Sequence, residues 1–146
     1  MKYKFFGHEN CDKIHSVNDT YKKIKTPIDL YDALTKIWCE YSCAPRMRKN
    51  WSEENITLGQ CSITAFLAQD IFGGKIFGIE RPDGSIHCYN VVDDVAFDLT
   101  SEQFNGETLN YSDNPEQFRE KHFAKTEKFE RYEYLKSELE NFLSRI

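Results

Sequence analysis

The sequence has few of the features that mark membrane, secreted or nucleic-acid-binding proteins. No apolar run approaches the roughly 18 residues that a membrane-spanning helix needs. With 24 Asp and Glu against 19 Lys and Arg, the net charge of −5 disfavours an electrostatic nucleic-acid binder, which needs a basic surplus. The N-terminal stretch turns polar after two Phe residues, so no apolar run is available for a signal peptide. These absences predict a soluble, cytoplasmic protein.

Short cofactor and metal motifs are absent as well. The sequence has no G-x-G-x-x-G, no Walker loop, no H-E-x-x-H, no G-x-S-x-G and no C-x-x-C. His8, Cys11 and His15 are metal-ligand types, but no second matching pair stands beside them, and scattered surface residues are the simpler interpretation. We therefore expect no metal and no cofactor. The cysteines number five, which is odd, and the chain is large enough to fold without disulfides, so we expect free thiols.

The chain does have the material for one domain. Its 146 residues are 40% hydrophobic and 14% aromatic, and no repeat or linker divides them. We expect a single domain over 1–146. Residues 1–25 are the least regular part, and they predict either a strand and loop or a mobile arm.

Four helices are predicted. The sequence T-P-I-D at 26–29 is a good helix start, and helical spacing of apolar residues predicts a helix over about 27–43. Residues 61–72 predict a second, nearly all-apolar central helix that Gly-Gly ends. The sequence N-P-E-Q at 114–117 predicts the start of a third helix. An apolar stripe over 129–146 predicts a fourth, which packs on the core or, alternatively, on a partner helix.

Three short strands lie between the second and third helices. The segments 75–80, 85–92 and 95–99 are predicted to be strands, and turn residues at 82–84 and 93–94 join them as an antiparallel meander. Helices that are segregated from a run of antiparallel strands indicate the α+β class. We expect the central helix, which carries Cys61, to pack on this sheet of about 75–99.

Cys61 is the first candidate for chemistry. It follows Gly59 and Gln60 directly and opens the central helix. A thiol there feels the positive end of the helix dipole, which stabilises the thiolate. The free N–H groups at the same helix end can receive an oxyanion. A cysteine at a helix start is also often a small buried hydrophobe, so position alone leaves both interpretations open.

Strand register brings a histidine and an aspartate together. With Asp93 and Asp94 as a two-residue turn, Tyr89 faces Asp98, which makes His87 and Asp98 diagonal neighbours on one sheet face. A carboxylate there holds the tautomer of the imidazole while the other ring nitrogen meets a thiol, as a Cys-His-Asp catalyst requires. A purely structural His–Asp pair is the alternative.

The stretch from Trp51 to Phe104 resembles a known family. The elements that carry the resemblance are W-S-x-E-N, G-Q-C-S-I-T-A-F-L-A-Q-D, G-G-K-I, H-C-Y-N and F-D-L-T-S-E-Q-F. They are similar to the pattern of the small YunG-like bacterial proteins. About half the chain matches closely, and the Trp38 helix and the C-terminal helix match more loosely. The family in turn resembles a minimal papain-like or transglutaminase-like fold, with Cys on a helix and His and Asp on the following strands.

The resemblance implies a Cys-His-Asp site at Cys61, His87 and Asp98, with Gln60 and Asn90 as neighbours. Cys88 departs from the pattern, in which a bulkier residue is expected, and we expect it not to touch the triad.

For the residues near the predicted triad, the sequence also allows more than one role. The Gln60 amide is either an oxyanion donor or a helix-capping or solvent-facing group. Asn90 lies on the strand face opposite His87 if the pleat is regular, which favours a structural hydrogen bond. Trp51 either lines a cleft or belongs to the core.

Two functions follow from these candidates. In the first, a thiol-dependent hydrolase or acyltransferase acts on an amide, isopeptide or thioester bond: Cys61 attacks, His87 moves the proton and Asp98 orients His87. Its partner is then a peptide, a protein or a small amide or thioester. In the second, the same fold is a non-catalytic binding module that recognises a peptide or protein. Neither needs a cofactor, nucleic acid or membrane.

Overall fold

A small antiparallel sheet supports the candidate site. In the computed structural model, which describes residues 3–146, the strands β1 (Lys75–Glu80), β2 (Ile86–Val92) and β3 (Val95–Phe97) pair in the order β1-β2-β3. The α+β class and the antiparallel meander are confirmed. β3 is shorter than the predicted 95–99, because the N–H of Asp98 leaves the sheet and donates to the carbonyl of Phe6 at 3.0 Å.

The turn between β2 and β3 fixes the register. Asp93 and Asp94 both have positive φ, 50° and 67°, as a two-residue hairpin turn of the primed type requires. Val92 consequently pairs with Val95 and Asn90 with Phe97, which is the predicted register. β3 pairs only with residues 90–92, so the first half of β2 has one open edge.

The central helix α2 (Cys61–Phe72) has the predicted bounds. It packs between β2 and the C-terminal helix, and nearly all of its length is buried, which explains why apolar residues occur on almost every side. The helix ends at Gly73, whose φ of 77° is accessible to glycine at little cost. The end of the helix is therefore set by a local signal.

The N-terminal helix α1 spans Pro27–Leu34 and begins as predicted, with Thr26 and Asp29 forming a capping box. It ends at Leu34, so the prediction of a helix to about residue 43 is wrong in that part. The hydroxyl of Thr35 bonds back to the carbonyl of Asp32 at 2.7 Å, where the helix stops.

Tertiary hydrogen bonds hold the chain after α1 in a non-helical path. The Trp38 indole donates to Thr64 at 3.0 Å, and the carbonyl of Cys39 accepts from the Gln60 amide at 3.1 Å. Both partners belong to α2 or the residue before it. Long-range partners of this kind override the helical spacing that the sequence shows over 35–43.

Residues 3–25 are irregular, as expected, but they are packed on the core. The segment forms two short 3-10 turns, His8–Lys13 and Asp19–Tyr21. Five of its apolar side chains are buried at 2% exposure or less, Phe5, Cys11, Ile14, Tyr21 and Ile24, while Phe6 and Val17 are exposed. These buried side chains belong to the hydrophobic core, and Met1 and Lys2 lie outside the described part.

The structure corrects the prediction at 114–117. We predicted a helix start there, but the segment lies along the free edge of β1: Gly78 donates to Pro115 at 2.9 Å and Gln117 donates to Ile76 at 2.8 Å. The strand edge offers backbone partners that a local helix signal does not take into account. Helix α3 begins later and spans Arg119–Phe123.

The long helix α4 spans Thr126–Ser144. Its buried face consists of Arg131, Tyr132, Leu135, Leu139 and Leu143, which supports packing on the core rather than on a partner helix. Phe129 and Ile146, which the predicted stripe included, are exposed. In residues 3–146, no helix has the length and apolar character needed to cross a membrane.

Candidate active site

The Cys61 thiol lies at the open edge of β2. Its Sγ is 3.8 Å from the carbonyl oxygen of Ile86, and the side chain is half-buried. The backbone carbonyls of successive residues in an antiparallel strand face opposite edges of that strand. The Ser85 carbonyl accepts from the N–H of Arg81, so it faces β1. The Ile86 carbonyl therefore faces the other edge, the one that β3 leaves open. The start of α2 occupies this gap.

His87 and Asp98 form a buried pair. The Nε2 atom of His87 is 2.6 Å from Oδ2 of Asp98, and the two side chains are 2% and 1% exposed. The Phe104 ring meets the imidazole edge-on, with 4.7 Å between ring centroids. A carboxylate only accepts, so Nε2 carries a proton and Nδ1 is the nitrogen that can exchange one with Cys61.

Asp98 is held by two residues that the sequence reasoning missed. Its Oδ1 accepts from the backbone N–H and the hydroxyl of Thr100 at 3.2 and 3.3 Å, and its Oδ2 accepts from the Tyr111 hydroxyl at 2.8 Å. The Thr100 contact is a local Asx turn, which the D-L-T spacing indicates. The Tyr111 contact comes from an irregular segment, and no sequence pattern indicates it.

The electrostatics favour an ion pair between thiolate and imidazolium. Burial alone would lower the pKa of His87, but the charge and hydrogen bond of Asp98, with a smaller contribution from Cys61, raise it to about 10. The pKa of Cys61 lies well below its usual value, because Cys88 and then His87 hydrogen-bond to the sulfur against the opposing effect of burial. Both shifts favour Cys61 thiolate with protonated His87 over the neutral pair.

Cys88 corrects our expectation that it does not touch the triad. Its thiol is buried, and its interaction with the Cys61 sulfur is the largest cause of the lowered pKa of Cys61. The pKa of Cys88 is correspondingly raised, by the Cys61 contact and by burial. Alternation along β2 places Cys88 and His87 on opposite faces, but Cys61 sits at the strand edge and reaches both.

A cleft of about 910 Å³ opens over Cys61 and His87. The segment at 44–47, the β1–β2 turn and the first turns of α4 contribute to its walls. Cations outnumber carboxylates among its lining side chains: the cations are Arg46, Arg81, Lys121, Lys125, Lys128 and Arg131, and the carboxylates are Asp83 and Glu127. The cleft is large enough for a small substrate or a few residues of a peptide.

The three predicted neighbours lie away from the thiol. The fully buried Gln60 amide donates to Cys39, and its Oε1 has no hydrogen-bond partner within residues 3–146. Asn90 donates to the carbonyl of Ala65 in α2 at 2.9 Å, a structural contact on the face opposite His87. The Trp51 indole donates to the carbonyl of Ile56 at 3.0 Å, and Trp51 is not among the residues that line the cleft.

His8, Cys11 and His15 of the N-terminal segment do not form a metal-binding cluster. Cys11 is buried and donates to the carbonyl of Gly7, while His8 lies 3.9 Å from Glu9. Across the described chain, no three His, Cys, Asp or Glu side chains are arranged to hold a metal ion. All five cysteines are free thiols.

Comparison with known proteins places the chain in a family. The model of the family described as YunG protein matches residues 26–144, which include Cys61, His87 and Asp98. A relative from Bacillus subtilis (strain 168), described as uncharacterized protein YunG, is 36% identical over 113 residues, which span 77% of this chain and 90% of the relative. No solved structure matches the chain. On the extent of both matches, the chain belongs to the YunG family.

Proposed function

We propose that the protein is a thiol-dependent hydrolase or acyltransferase that acts on an amide, isopeptide or thioester bond. The observation that carries the proposal is the position of the Cys61 thiol, at the first residue of a buried helix and in the same cleft as the imidazole of a buried His87–Asp98 pair. A thiol with a lowered pKa in a cleft is what a nucleophilic cysteine needs. No part of this arrangement requires a cofactor.

The chemistry follows from the resting ion pair. The Cys61 thiolate attacks the carbonyl carbon, and the electron pair of the C=O bond moves to oxygen. The first N–H groups of α2 have no intrahelical partner and can donate to that oxyanion. Protonated His87 then gives its Nδ1 proton to the leaving amine or thiol as the bond to it breaks. Asp98, held by Thr100 and Tyr111, keeps the imidazole in position throughout.

The second half of the reaction regenerates the thiolate. Neutral His87 takes a proton from the acceptor, which attacks the thioester formed on Cys61. The thiolate leaves as the acyl group departs. Water as acceptor makes the protein a hydrolase, and an amine makes it a transferase, so the acceptor alone decides between the two reactions.

The same geometry supports a minimal papain-like fold. In that arrangement the nucleophile opens a helix and the histidine and its orienting residue follow on antiparallel strands, as Cys61 on α2, His87 on β2 and Asp98 after β3 do here. A peptide, a protein side chain or a small amide or thioester is the substrate class that the cleft fits. The backbone N–H groups of α2, rather than the Gln60 amide, supply the oxyanion donors.

The test uses an activated ester. With p-nitrophenyl acetate, we expect acetylation of Cys61, seen as a mass increase, followed by turnover of more than one equivalent of nitrophenol. Cys61→Ala should remove both signals. The matched control is Cys39→Ala, because Cys39 is another half-buried thiol and lies outside the cleft. Labelling of Cys61 no faster than that of Cys39, without turnover, would favour the non-catalytic binding module instead.

A further inference from the structure

Three lysines of the cleft have no carboxylate partner. The arginines of the cleft are each within 4 Å of an acidic side chain: Arg46 of Asp83 at 3.7 Å, Arg81 of Glu107 at 2.9 Å and Arg131 of Glu127 at 2.7 Å. In residues 3–146, no such contact exists for Lys121, Lys125 or Lys128. The first two are exposed, while Lys128 is half-buried. Lys128 is therefore the least exposed of the cleft cations that have no carboxylate partner in the described chain.

A histidine fixes the position of Lys128. Its ammonium donates to Nδ1 of His122 at 2.9 Å, and Nε2 of His122 in turn contacts Oε1 of Gln117 at 2.9 Å. Burial, together with the charge of Lys128, lowers the pKa of His122 to about 4, so the ring is neutral and can accept. An ammonium has three protons and His122 takes one, which leaves two donors for a ligand.

The location of Lys128 is unfavourable for helix stability. It lies in the first turn of α4, where the helix dipole favours carboxylates and disfavours cations. Burial lowers the pKa of its ammonium, and the charge of the Cys61 sulfur opposes that effect. An anionic ligand in this cleft would stabilise a half-buried lysine at the positive end of a helix.

We propose that Lys128 binds a carboxylate of the acyl substrate, so that the substrate class is an acyl group with a carboxylate near its scissile bond. This inference depends on the proposed role of Cys61 as nucleophile. Arginine, with its forked guanidinium, is the better phosphate ligand, and the arginines of this cleft are already paired. A single ammonium with two available donors matches the single charge of a carboxylate.

Two alkylating reagents of nearly the same shape test the charge preference directly. Iodoacetate is a carboxylate and iodoacetamide is neutral, and both alkylate a thiolate by displacing iodide. The measured quantity is the ratio of their rates at a single thiol. Because both reagents need the same thiolate, a change in the pKa of Cys61 cancels in this ratio.

We expect the iodoacetate-to-iodoacetamide ratio at Cys61 to exceed the ratio at Cys39 in the same molecule. Lys128→Met should lower the Cys61 ratio by about tenfold, the scale expected for removing one nearby opposite charge. Lys136→Met is the matched control, because it removes a lysine two turns further along α4 and outside the cleft lining. It should leave the ratio unchanged.

Each contrary result has a distinct meaning. If Cys61 reacts fast with iodoacetamide but shows the ratio of Cys39, the carboxylate site is refuted and the nucleophile is retained. An equal loss in Lys128→Met and Lys136→Met also refutes the site, since net charge would then explain it. If Cys61 reacts slowly with both reagents, the proposed function fails and the inference fails with it. The comparison of Cys61 with Cys39 needs no variant, so an equal ratio refutes the carboxylate site even if Lys128→Met does not fold. Protonated His87 also favours iodoacetate at Cys61, so a higher ratio is assigned to Lys128 only by its loss in Lys128→Met or, if that variant does not fold, in Lys128→Gln.

Discussion

Replacing Cys88 with alanine should make Cys61 less acidic. Interaction with the buried thiol of Cys88, a group that can donate to a thiolate, is the largest cause of the lowered pKa of Cys61. A hydrogen bond to a charged group contributes about 1.5–3 kcal/mol, and a thiol is a weak donor, so we take the lower end. Losing about 1.5 kcal/mol of thiolate stabilisation lowers the thiolate fraction of Cys61 by roughly tenfold at any pH where this thiol is mainly protonated.

The assay is the rate of carbamidomethylation of Cys61 by iodoacetamide as a function of pH, followed by peptide mass spectrometry. On the acid limb of the profile, Cys88→Ala should react about tenfold more slowly than the wild type. On the plateau, where Cys61 is fully ionised in both proteins, the two rates should nearly agree. The alanine variant thus shifts the profile toward higher pH without lowering its maximum.

Cys88→Ser is the matched control. Serine also removes the buried sulfur, but its hydroxyl is a donor that can replace the lost hydrogen bond. The acid limb of the serine variant should therefore lie close to that of the wild type. If the alanine profile also superimposes on the wild type, Cys88 does not act on Cys61 and the account of this contact is refuted.

Three further predictions concern the site and the core. Asp98→Asn removes the charge that raises the pKa of His87, so the pKa, measured by NMR titration, should fall from about 10 toward its ordinary value of 6.5; an unchanged pKa would contradict the pairing. Leu135→Ala removes a fully buried side chain of α4 and should lower the free energy of unfolding in urea by about 2–5 kcal/mol; a negligible loss would show that α4 does not pack on the core. Gln60→Leu leaves the carbonyl of Cys39 without its donor and should cost about 1–3 kcal/mol in the same measurement; lost activity at full stability would instead indicate an oxyanion role.

The parts of the fold that local signals determine could be predicted from the sequence. The bounds of α2 follow from an apolar run that Gly73 and Gly74 end, and the β2–β3 register follows from a two-residue turn. Because side chains alternate along a strand, that register alone brings His87 and Asp98 together. The central geometry of the candidate site therefore depends on short-range information.

The parts that were wrong or missed depend on long-range partners. The Tyr111 hydroxyl reaches Asp98 from an irregular segment, and 114–117 pairs with the edge of β1, although locally it resembles a helix start. Cys88 affects the pKa of Cys61 from the strand beside which α2 begins, and strand alternation alone does not indicate this. Each of these contacts requires knowledge of which surface another segment meets.

The central claim, that Cys61 is an activated nucleophile paired with His87, is tested most directly by the pH dependence of its alkylation in the wild type and in His87→Ala. The account predicts that wild-type Cys61 reacts with iodoacetamide well below the pH at which an ordinary thiol, with a pKa of about 8.5, becomes nucleophilic. His87→Ala should shift this profile to higher pH, because the protonated imidazole no longer stabilises the thiolate. If Cys61 reacts no faster than Cys39 at neutral pH, and His87→Ala leaves its profile in place, the account is contradicted.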